Sequence, residues 1–85
     1  MARRFDEGPR FTPKQGQYLA FIYLYTKLNR CPPAQSDIQK YFGVSPPTVH
    51  QMILRLEEAG LLSRQPGVGR SLQVLLPRAR LPELE

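Results

Sequence analysis

Apolar positions in this chain fall into helix-spaced blocks separated by glycine and proline. The first block runs from Gly16 to Leu28 and carries Leu19, Ile22 and Tyr23 at helical spacing, with Tyr18, Tyr25 and Leu28 beside them. Thr12-Pro13-Lys14-Gln15 ahead of it reads as a helix start: Thr12 caps, Pro13 suits the first helical position, and Gln15 stands three residues past the cap. Phe11 before the cap and Leu19 further in can form part of a hydrophobic staple. Asn29 and Arg30 close the helix, and Pro32-Pro33 forbid its continuation. A short second helix is predicted over about Gln35 to Phe42, with Asp37 near its positive end, Ile38, Tyr41 and Phe42 facing inward, and Gly43 as its stop.

The stretch SPPTVHQMILRLEEAGLL, Ser45 to Leu62, predicts a third helix. Ser45 is a capping residue, and prolines are accepted in a first turn whose N–H groups have no intrahelical acceptor. Val49, Ile53 and Leu56, with Met52, form the stripe to be buried; Thr48, His50, Gln51 and Arg55 lie on the other side, and Gly60 ends the helix. Residues 61–65 and 71–75 read as two short strands, the second alternating Leu72 and Val74 with Ser71 and Gln73. Pro66-Gly67-Val68-Gly69 supplies the turn between them, flanked by Arg64 and Arg70. A short helix, a tight turn and a capped amphipathic helix make a helix-turn-helix, and a basic hairpin after it makes a wing. The fold class is therefore mainly α with a small β-hairpin: a winged helix-turn-helix of three helices and a two-stranded wing. Residues 1–10 are expected as a flexible basic arm, 11–76 as the winged helix-turn-helix domain, and 77–85 as a flexible tail.

Charge narrows the partner. The chain has 85 residues, a net charge of +5 and a pI near 9.9. Between Phe11 and Leu76 stand seven Lys/Arg and three Asp/Glu, so the excess belongs to the expected domain as well as to its ends. A small basic domain suits a polyanion, most often nucleic acid. One Cys and one His leave no metal cluster and no cofactor to expect, and a lone Cys31 cannot form an internal disulfide. No apolar run approaches the roughly 18 residues of a membrane helix, and the N-terminus lacks the apolar core of a signal peptide. The expected location is cytoplasmic, associated with the nucleoid.

Residues Phe11 to Leu75 resemble the N-terminal DNA-binding domain of LexA-type repressors, the regulators of the bacterial SOS response. The marks are Thr12-Pro13-Lys14-Gln15, Phe21-Ile22, Tyr25, Asn29, Pro32-Pro33, Asp37-Ile38, Thr48-Val49-His50 and Leu56-Glu57-Glu58-Ala59-Gly60-Leu61. The turn Gly43-Val44-Ser45 is one residue shorter than the family's usual one. The peptidase domain that follows in LexA repressors lies outside this sequence, and Ala59-Gly60 reads as a helix end rather than a cleavage site. The resemblance implies DNA binding, not autoproteolysis and not necessarily the SOS response. Carried over position by position, the base-reading residues are Ser45, Pro47, Thr48, His50 and Gln51, with Arg55 one turn further on.

Gln51 can pair bidentately with adenine, Thr48 can bond a base or place its methyl on thymine, and Pro47 offers apolar contact alone. Phosphate contacts are expected from Lys14, Gln35, Arg64 and Arg70, with Gly67 and Gly69 letting the wing backbone approach the minor groove. Helix N-termini add N–H donors for phosphate. The partner is then double-stranded DNA, with a homodimer or a partner subunit to complete a site. The competing reading is a winged-helix module that binds protein and not DNA; RNA, which the fold permits, ranks below DNA because the exposed aromatic platform for single strands is missing. An enzyme is not expected: His50 has no nucleophile or orienting partner in view.

Overall fold

In the computed structural model, which describes residues 10–85, the elements run α1 (Pro13–Asn29), α2 (Gln35–Phe42), α3 (Pro46–Glu58), β1 (Leu62–Ser63), β2 (Gln73–Val74) and a 3-10 turn at Arg78–Arg80. The expected basic arm, Arg3 and Arg4 included, lies outside the described residues except for Arg10. Among the described residues no helix is long and apolar enough to cross a membrane.

The start of α1 is a full capping box: the Gln15 N–H donates to Thr12 Oγ1 at 3.1 Å, and the Thr12 N–H donates to Gln15 Oε1 at 2.9 Å. Phe11 packs against the core cluster that contains Leu19, and its ring also lies over Gly16, where the missing Cβ leaves room for it. Tyr18 to Ile22 are buried without interruption, so α1 is covered on more than one side. Leu28, by contrast, is 79% exposed where the helix runs out past the core.

At α2 the cap residue is Ala34, whose side chain accepts nothing; Asp37 Oδ2 takes the Ala34 N–H at 2.8 Å instead. Ile38 is fully buried, and Gly43 turns the chain with φ of 65°. Tyr41 corrects the inward reading of this helix: it is 46% exposed, stacked on Phe21 at 4.6 Å. Phe42 does face inward, stacked on Tyr18 at 4.3 Å.

α3 packs as its pattern requires, with Val49, Ile53 and Leu56 fully buried. It ends in a Schellman motif: the Leu61 N–H reaches back to the Leu56 carbonyl and the Gly60 N–H to Glu57, with Gly60 at φ 76° and Leu61 buried beneath. The hairpin is antiparallel, pairing Leu62 with Val74 and Ser63 with Gln73. Five-residue strands are not formed. Past Ser63 the ladder is replaced by a side chain: Ser71 Oγ accepts the Gln65 N–H at 2.9 Å and sits 2.9 Å from the Val68 carbonyl. Pro66 and the left-handed Gly67 (φ 77°) occupy the middle of the turn closed by the Val68 N–H on Gln65 O.

The composition of residues 77–85 predicts a flexible tail, whereas the structure seats these residues against α1 and α2. Leu81 and Leu84 pack on the core. The Gln17 side chain holds the backbone twice, donating to Glu83 O at 2.9 Å and accepting the Glu85 N–H at 2.8 Å. Tyr41 Oη donates to Glu85 O at 2.8 Å. This second cover explains why α1 is buried so widely.

Candidate nucleic-acid interface

The stripe that seats α3 fixes what the helix shows to solvent. With Val49, Ile53 and Leu56 turned inward, Ser45, Pro47, Thr48, His50, Gln51 and Arg55 are all exposed. Its first turn departs from expectation in one respect. The Ser45 hydroxyl accepts no backbone N–H; it pairs with the Thr48 hydroxyl at 2.9 Å. Pro46 and Pro47 have no N–H at all. Two of the donors that a helix N-terminus ordinarily offers an anion are therefore deleted at α3. The expectation of a phosphate held by backbone donors is weakened there.

Around the start of α2 the fold gathers Gln35, Arg64, Gly67, Gly69 and Arg70 about one open hollow of about 220 Å³ between that helix and the wing. Gln35 is distant in sequence from the other four, and the fold brings the hairpin that carries them up to it. Lys14 is not among them. It is exposed on the first turn of α1 and lines a different groove, shared with Tyr41, Phe42 and the tail residues Glu83 to Glu85.

Both wing arginines have carboxylate partners that the sequence did not announce. Arg64 Nε donates to Glu57 at 3.0 Å, tying the first wing strand to the end of α3. Arg70 adopts a left-handed backbone, φ 54°, that carries its guanidinium toward the helices. Its Nη1 stands 3.2 Å from Asp37 Oδ2 and donates to the Tyr25 hydroxyl at 3.2 Å and the Pro32 carbonyl at 3.3 Å. Asp37 is held below the usual carboxylate range, first by the Ala34 N–H and then by Arg70, with partial burial working against both. Asp37 was legible as a helix-start residue; its wing partner was not, because that pairing is long-range and leaves no spacing signal.

The sequence has matches among known proteins. Residues 10–69 fit the profile of the N-terminal DNA-binding domain of iron-dependent repressors. The chain belongs to that family. This repressor domain is also similar to LexA repressors: 33% identical over 66 residues to that of Thermosipho melanesiensis, covering 78% of this chain and 33% of the relative. The figures are 33% over 70 residues, 81% and 34% for Moorella thermoacetica, and 34% over 64 residues, 75% and 32% for Thermosipho africanus. The chain thus spans about a third of the length of these relatives. Among the described residues no three His, Cys, Asp or Glu side chains gather as ligands, and His50 and Cys31 stand on different elements, α3 and the loop after α1.

Proposed function

We propose that this domain binds double-stranded DNA sequence-specifically, as the reading head of a small bacterial regulator of LexA-like type acting in the cytoplasm at the nucleoid. One observation carries the reading: the whole polar flank of α3 is open while the opposite stripe is completely buried. A helix so mounted fits the major groove, where its first two turns meet base edges. Gln51 suits adenine, Thr48 a base or phosphate, Pro47 an apolar edge such as the thymine methyl, and Arg55 a guanine or a phosphate. The hollow between α2 and the wing then faces the sugar-phosphate backbone, with Gln35, Arg64 and the glycines Gly67 and Gly69 along it, while Lys14 adds a contact from α1. A homodimer on a two-fold operator, or a partner subunit, supplies the second half-site.

A rival draws on one specific observation: both wing arginines are already paired with carboxylates, which suits a module that docks on protein. Selection of duplexes from a random pool separates the two. DNA binding yields an enriched motif whose affinity falls with salt and with Gln51→Ala; a pool that stays random after repeated rounds refutes the DNA reading.

A further inference from the structure

The wing is too short to hold itself in place. Its ladder has two residue pairs, and a two-stranded ribbon of that length is marginal in water. Within the loop, Ser71 fixes the local turn through Gln65 and Val68, but those bonds do not say where the loop stands relative to the helices. Two side chains do. Arg64 joins the first strand to Glu57 of α3. Arg70 joins the other limb to Asp37 of α2, Tyr25 of α1 and the Pro32 carbonyl between them. That second set is the wider one, because it reaches three separate parts of the helical body. It also has a backbone cost: a non-glycine residue in the left-handed region is disfavoured, and here that conformation is what aims the guanidinium inward.

We propose that Arg70 is a positioning residue, a clasp that sets the wing against α1 and α2, and not a ligand of phosphate. Asp37 is its counterpart. The same carboxylate holds the Ala34 N–H, so one group fixes both the first turn of α2 and the limb of the wing beside it. The two walls of the hollow that contains Gln35 and Gly67 are thereby locked at one spacing. All three partners meet one nitrogen, Nη1, at the far end of the side chain, a reach that the shorter lysine stem does not match. The functional part of this proposal rests on the DNA reading above; its structural part does not.

The test uses the full chain and a duplex enriched from the random pool. Arg70→Ala and Asp37→Asn are compared with the parent, singly and together; the asparagine keeps an acceptor for the Ala34 N–H while removing the charge. Amide exchange in residues 64–72 is measured first, without DNA. A clasp predicts faster exchange there in both variants, with no further increase in the double variant. Binding is then measured across a salt series. The clasp predicts that each single variant weakens binding roughly fivefold, through the smaller share of correctly set wings, that the double variant is no worse, and that the slope of log K against log salt is unchanged. Should Arg70→Ala instead make the slope shallower by about 0.9, one phosphate contact has been lost and the proposal is overturned. It is equally overturned if Asp37→Asn leaves wing exchange as it was, or tightens binding by freeing Arg70. Arg70→Lys guards against a general folding defect: it keeps the charge, and a clasp requires it to behave like Arg70→Ala, whereas a phosphate ligand requires it to behave like the parent. If no duplex binds the parent, the DNA reading fails by itself, and the exchange data still decide the clasp.

Discussion

Replacing Thr48 by alanine separates a contact that reads DNA from one that holds the fold. In the free protein its hydroxyl touches the Ser45 hydroxyl alone, at 2.9 Å, and both residues are exposed. A neutral hydrogen bond of this kind contributes about 0.5–1.5 kcal/mol net, and exposure puts it at the low end. Alanine returns up to about 0.7 kcal/mol of helix propensity that threonine forgoes. The Ser45 hydroxyl, once released, is also free to turn onto the Thr48 position's own N–H, the ordinary capping bond. These terms nearly cancel, so stability should stay within about 0.5 kcal/mol and the melting temperature within about 4 °C. If α3 lies in the groove, a base or phosphate bond worth about 1–1.5 kcal/mol is lost, which is roughly five- to tenfold in affinity. Thermal unfolding by circular dichroism and fluorescence anisotropy on a selected duplex measure the two quantities. Affinity unchanged within twofold would take the first turn of α3 out of the interface. A melting temperature lowered by more than about 6 °C would make the hydroxyl pair structural instead.

Other outcomes follow from burial, charge and the tail. Ile53→Ala empties a site with no solvent exposure and should cost about 2–5 kcal/mol, seen as a fall in melting temperature; a loss under about 1 kcal/mol would contradict the packing of α3. The folded-state value of Asp37 is depressed, by the Ala34 N–H first and Arg70 second, so its stabilisation is present above the ordinary carboxylate value and is lost as pH falls through the folded one. Unfolding curves of the parent and Asp37→Asn should therefore differ at neutral pH, begin to approach each other below about pH 4 and meet only below the depressed folded value; a constant gap into strong acid is the refuting result. At Gly16 a Cβ would come within 2.8 Å of the Phe11 ring and 3.0 Å of Pro82. Gly16→Ala should forfeit much of its roughly 1 kcal/mol propensity gain and speed amide exchange at Glu85, whose N–H is held by Gln17; unchanged exchange would show that the tail adapts without moving.

What could be read from the chain was what local spacing encodes. The stripe of Val49, Ile53 and Leu56 is a helical repeat, so it gave α3 and, by subtraction, the exposed flank. Thr12 with Gln15 is a box of fixed spacing, and the structure makes both of its bonds. Gly43 and Gly60 were readable because a left-handed residue after a helix is nearly a glycine position. The tail was not, because its prolines and paired charges look like a linker while its docking depends on the Gln17 amide, whose partners lie 66 and 68 positions away. The strands came out shorter than their alternation suggested, since Ser71 offers the backbone a competing partner. Tyr41 follows the helical repeat yet stays half outside, because Phe21 and Phe42 fill the space beneath it. Arg64 and Arg70 looked like free cations; their carboxylates arrive only with the tertiary fold.

The paired prolines at the head of α3 act by subtraction. With Pro46 and Pro47 in place and no cap bond from Ser45, the prow of the helix sets two pyrrolidine rings beside the Ser45–Thr48 hydroxyl pair, where most such helices bristle with amide protons. Inserted in a duplex, it would reward a smooth methylated wall and would leave lone pairs on a purine-rich wall thirsty. Preference at those base steps would then be set by fit and by the water left behind, and a single Pro47→Ala exchange, by restoring one proton, would redraw it.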